Sequence, residues 1–182
     1  MIINLILLII VVIIVLQIRK GQSEAIGNWS HLFPNMQLDP EEFYLLVEEI
    51  IELKEIPDAI FSRRTFKQGS IYSYHRLYFE VSRGDYIFHI CAAPWGTGFF
   101  FSWWVREKLS LIDAILIMIP IIGPRIVRLR QYKSYYKLDT DTMFRKSVHQ
   151  SVMEAIDGIT KSAGISGLTE LERKPDLRAI IK

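Results

Sequence analysis

The sequence predicts an α+β protein: an N-terminal transmembrane helix, then a small domain in which a roughly four-stranded antiparallel sheet packs with two main helices. Three observations predict it. Residues 2–16 are all Ile, Leu or Val except Asn4. Residues 59–105 hold short alternating or apolar runs separated by Gly-containing turns. Two segments with helical periodicity, each opened by a capping residue, flank those runs.

The opening stretch covers about 24 Å as a helix, and Gln17, Ile18 and the snorkelling stems of Arg19 and Lys20 extend it towards the width of a bilayer. No Lys or Arg precedes Leu5 and no small-residue cleavage pattern follows, which argues for an uncleaved anchor over a signal peptide. Arg19 and Lys20 place the carboxyl-terminal body on the cytoplasmic side and the N-terminus outside. Cys91 is the one cysteine, so no intrachain disulfide forms, in keeping with a reducing compartment. The organisation is then an anchor at 1–20, a linker at 21–37, a cytoplasmic α+β domain at 38–165 and a charged tail at 166–182.

Within the domain, Asp39 is an N-cap, Pro40 suits the first helical position, and Glu42 completes a capping box. Phe43, Leu46, Val47, Ile50 and Leu53 form the apolar stripe, and Pro57 ends the helix. Ala59 to Lys67 has mixed strand character. Ile71 to Val81 alternates, with Ile71, Ser73, His75, Leu77, Phe79 and Val81 on one face. Ser82 to Asp85 is a hairpin turn, Tyr86 to Ala93 an inner strand, and Phe99 to Val105 a fourth strand after the turn at Pro94 to Gly98. The economical topology is a meander. The C-terminal helix starts near Asp139–Thr142, carries Phe144, Val148, Val152, Ala155 and Ile159 inward, and stops at Gly164. Thr169 and Glu172 have capping spacing in the tail.

The surface signals point to a membrane. Trp95, Trp103 and Trp104 stand beside Arg106 and Lys108, a pairing of aromatic and charge that suits a head-group layer. Residues 109–123 are nearly as apolar as the anchor but too short to span, and Asp113 and Pro120 interrupt them. Basic residues flank both sides, so the segment starts and ends on one side of the bilayer and lies in the interface or in protein. Arg125, Arg128, Arg130 and Lys133 continue it as a polybasic stretch, which gains roughly 1 kcal/mol per residue from anionic lipid.

Chemistry is sparse. His75, His89 and Cys91 are the candidates for a catalytic centre, and His89 and Cys91 share a strand face. Side chains two apart on one strand stand side by side, however, and no orienting acid is evident. Asp139 and Asp141 lack the Gly and trailing Glu of a calcium loop, so no metal site is expected, and no motif requires a cofactor. With 22 basic and 20 acidic residues the near-neutral chain has no global field for nucleic acid. The expected function is a non-enzymatic scaffold or subunit of a membrane assembly, docked on the inner leaflet, with the lipid bilayer and a protein partner or second copy as its contacts. The alternatives are a membrane-surface enzyme acting on a lipid or lipid-linked substrate, and a membrane-tethered nucleotide or nucleic-acid sensor.

Overall fold

The computed structural model describes residues 25–67, 75–108 and 133–177, together with positions 113, 116 and 126. The anchor at 1–20, most of the apolar segment 109–123, and Arg125, Arg128 and Arg130 lie outside the described residues. Among the described residues no helix is long and apolar enough to cross a membrane.

The chain runs β1 (Ala25–Phe33), α1 (Pro40–Leu53), β2 (Ile60–Lys67), β3 (His75–Arg83), β4 (Tyr86–Trp95), β5 (Gly98–Glu107), α2 (Tyr135–Ser162) and β6 (Asp176–Leu177). The strands form one antiparallel sheet in the order β2-β3-β4-β5-β1-β6. Strands β2 to β5 are the expected meander. β1 makes a fifth strand, inside the stretch 21–37 that reads as linker. Its alternation is faint because Gly27 and His31 hold two of the inward positions beside Trp29 and Phe33. The two-residue β6 pairs with Gly27 and Asn28.

Both helices cover one face of the sheet. Phe43 of α1 meets Phe101, Tyr44 meets Phe79, and Phe144 of α2 meets Phe88. Trp103, paired with Trp29 across β5 and β1, is 1 % exposed in this core. The sequence reading places it at a membrane interface; its strand phase turns it inward instead. Asp39 caps α1 by accepting from Glu41 N, with Pro40 in the first turn. The buried stripe is Phe43, Tyr44, Val47 and Ile51; Leu53 points outward. Ser134 caps α2, five residues before the expected start at Asp139, and Asp141 lies buried within the helix.

One detail divides the sheet. β3 and β4 pair from Arg83/Tyr86 to Phe79/Ile90. Continuing that register sets Leu77 opposite Ala92, but the Tyr44 hydroxyl occupies the gap. It donates to Leu77 O at 2.8 Å and accepts from Ala92 N at 2.9 Å. A side chain thus satisfies buried backbone groups where the ladder stops.

Candidate functional site

Two places concentrate chemistry: one end of the sheet, and the sheet face opposite α1 and α2.

The end is the one holding the β3–β4 turn, where Gly84 has φ +54° and lets the chain reverse. Ala25, the first residue of β1, pairs with Arg106 near the end of β5. Lys108 follows β5 and bonds Asp85 O through its backbone N–H. Ahead of α2, Lys133 returns to this corner. Its ammonium donates to Tyr86 Oη at 2.7 Å and lies 2.7 Å from Glu107 Oε1 and 3.2 Å from Asp141 Oδ2. Lys137 bonds Asp85 beside it. Burial would lower the Lys133 pKa, but the hydrogen bonds with Glu107 and Tyr86 outweigh it and hold the ammonium charged. Three chain ends therefore meet here: the entry at Ala25, the exit at Lys108 and the return at Lys133. The return passes directly into α2, whose first residues Tyr135 and Tyr136 are 87 % and 82 % exposed.

The face opposite α1 and α2 carries a cross-strand row of Ser62, Glu80, His89 and Trp104. Glu80 and His89 are both buried, and Arg106 and Arg64 bracket them. Arg106 Nη2 is 2.9 Å from His89 Nε2. Because a guanidinium only donates, Nε2 accepts, and the neutral ring carries its proton on Nδ1. That nitrogen faces Glu80 Oε2 at 3.6 Å, outside hydrogen-bond range. Arg64 Nε lies 3.0 Å from the same oxygen, and Ser62 donates to Oε1 at 3.3 Å. Burial first, then Arg106 and Arg64, push the His89 pKa down to about 4, so the ring is neutral at physiological pH.

This geometry does not make His89 and Cys91 a nucleophile pair. The accepting nitrogen of His89 is occupied by Arg106. Burial pushes the Cys91 thiol up, against weaker opposing effects of Arg76, Tyr78 and Ser102. His75 lies at the start of β3, five residues from Glu80 and so about 17 Å along the strand from the His89 row. Sequence reasoning missed Glu80 and Arg64. Their spacing carries no motif, and only the register of β2, β3 and β4 gathers them. Among the described residues no group of three or more His, Cys, Asp or Glu stands ready for a metal.

The residues expected at a membrane interface divide. Lys108 is exposed at the converging end, and Arg106 is half-buried against His89. Lys133 is held between Glu107 and Asp141, its side chain 10 % exposed, rather than presented to lipid, a correction that follows from its three partners. Trp104 is exposed on the face opposite α1 and α2. Trp95, 65 % exposed, sits at the opposite tip, nine residues and about 30 Å along β4 from Tyr86.

No protein-family model matches the chain, and no curated protein matches it. The crystal structure of TTHA0849 from Thermus thermophilus aligns with 16 % identity and a TM-score of 0.30, over 73 % of this chain and 97 % of that one. A likeness of that size carries no argument about fold or function.

Proposed function

We propose that this chain is a membrane-tethered, non-enzymatic docking domain that holds one end of its sheet against the inner leaflet and serves as a subunit or scaffold of a membrane assembly. The observation that supports it is the convergence of Ala25, Lys108 and Lys133 at one end of the fold. The apolar stretch 2–16 precedes that point, and the apolar and basic stretch 109–130 leaves from it and comes back. Lys20 lies five residues before Ala25, a reach of at most about 18 Å even when fully extended. An anchor on so short a connection keeps the domain at the surface. Exposed Tyr135 and Tyr136 at the same end supply the amphipathic rings favoured at a head-group layer, and the basic residues 125–130 add attraction to anionic lipid. Trp95, at the far tip, then points away from the bilayer, towards partners.

Depth-dependent quenching tests this. Environment-sensitive labels on Tyr135→Cys and Thr97→Cys would be compared in full-length protein reconstituted into anionic bilayers, with Cys91 shielded by burial. Head-group quenchers should reach the label at 135 and spare the label at 97. Equal quenching at both, or a full-length chain that remains in solution without lipid or detergent, overturns the reading.

A further inference from the structure

On the face opposite α1 and α2, two buried polar atoms go without hydrogen bonds. Glu80 and His89 are 7 % and 6 % exposed, and neither Glu80 Oε2 nor His89 Nδ1 has a hydrogen-bond partner. Arg64 Nε stands 3.0 Å from Oε2 as an ion pair, without the alignment of a hydrogen bond. The two atoms lie 3.6 Å apart. Arg106 holds Nε2, so Nδ1 carries the ring proton and needs an acceptor, while Oε2 needs a donor. One hydroxyl oxygen about 2.8 Å from each atom meets both needs at once. A metal ion does not suit the pair: Nδ1 has no lone pair to give, and the two guanidiniums repel a cation.

A single water would fill the gap but leave the charge unbalanced. Arg64 and Arg106 face one carboxylate, Glu80, and the contact of Arg106 is with an uncharged ring. Trp104 lies directly opposite His89 on β5 and is 44 % exposed, an apolar platform beside the unpaired atoms. Ser62 donates to the other oxygen of Glu80 and fixes the carboxylate.

We propose that Ser62, Arg64, Glu80, His89, Trp104 and Arg106 form a binding site for a small polyol phosphate. A hydroxyl of the ligand donates to Glu80 Oε2 and accepts from His89 Nδ1. The phosphate draws Arg64, whose side chain is 61 % exposed and free to turn, off Glu80 and pairs with both guanidiniums. The carbon skeleton rests on Trp104. Free glycerol phosphate and the head group of phosphatidylglycerol share this chemistry. The site goes beyond end-on docking and does not depend on it.

The experiment is nitrogen NMR of the His89 ring and the Arg106 side chain in the labelled full-length chain, in two arms. In zwitterionic micelles the probe is sn-glycerol 1-phosphate, with methyl phosphate and glycerol as controls. In nanodiscs the probe is phosphatidylglycerol, with phosphatidylmethanol, which carries the same charge and no hydroxyl, as control. At least one probe should shift both resonances saturably and bind roughly tenfold more tightly than its controls, with a loss of about tenfold in Glu80→Gln and in Arg64→Gln. A response confined to the micelle arm identifies a free ligand, one confined to the nanodiscs a lipid, and both support the site. Equal affinity for the controls, no saturable response in either arm, or a water that stays beside Nδ1 at saturating probe overturns it. If Glu80→Gln does not fold, Arg64→Gln and Trp104→Leu, both at exposed side chains, take its place, and unchanged affinity in the two refutes the site. The micelle arm reads the site even where attachment to the bilayer fails.

Discussion

Replacing Tyr44 with Phe deletes one oxygen at the point where β3 and β4 part. The ring keeps its packing against Phe79 and Phe43, so little cavity forms. What is lost is the hydroxyl between Leu77 O and Ala92 N. A buried donor left without a partner costs about 1–3 kcal/mol, and the bond to Leu77 adds about 1 kcal/mol. The expected destabilisation is thus about 3 kcal/mol. In a domain of this size each kcal/mol moves the midpoint by about 2–4 °C, so near-ultraviolet dichroism in micelles should show Tm lower by roughly 6–12 °C. Amide exchange should accelerate first at Ala92. A loss below about 0.5 kcal/mol with Ala92 still protected would refute the claim that this hydroxyl substitutes for a rung of the ladder.

Other substitutions test other parts of the structure. Lys133→Met leaves the buried Asp141 carboxylate without its ammonium partner and should cost about 3–5 kcal/mol in a denaturant melt, partly recovered by adding Asp141→Leu. Because burial and two arginines lower the His89 pKa to about 4, the unfolded chain binds a proton there first as pH falls. Wild type should therefore lose up to about 3 kcal/mol between pH 6.5 and 4. His89→Gln, compared over the same range by urea titration, should flatten that loss. The buried Cys91 thiol should react with maleimide only at the rate of domain opening, and Tyr44→Phe should speed that labelling in proportion to its lost stability.

Much of the fold is legible because its signals are local. The Asp39 cap, the turns at Gly84 and Gly96 with their positive φ, and the alternation of β3 and β5 each lie within a few residues. The failures are non-local. In α1, apolar residues at 43, 44, 46, 47, 50, 51 and 53 support two adjacent stripes, and the sheet selects the one containing Tyr44 because its hydroxyl has backbone to satisfy. β1 is hidden by Gly27, Asn28 and His31, which fit a loop as well as a strand. Ser134 replaces Asp139 as a cap because Lys133 is fastened to Tyr86, Glu107 and Asp141, so the helix begins at that fastening. Of the chemistry, His89 and Cys91 are visible in the sequence. Glu80 and the two arginines that decide the behaviour of His89 come from other strands.

The order of β1 in the sheet governs how the molecule can be born. The first strand out of the ribosome must wait for β5, about 70 residues later, before Trp29 finds Trp103. Meanwhile the segment upstream of it has already been handed to the bilayer under the proposed topology. Sheet closure is then a post-synthetic event next to lipid, and during the delay the unpaired edge of β1 is the part of the nascent chain most in need of a chaperone.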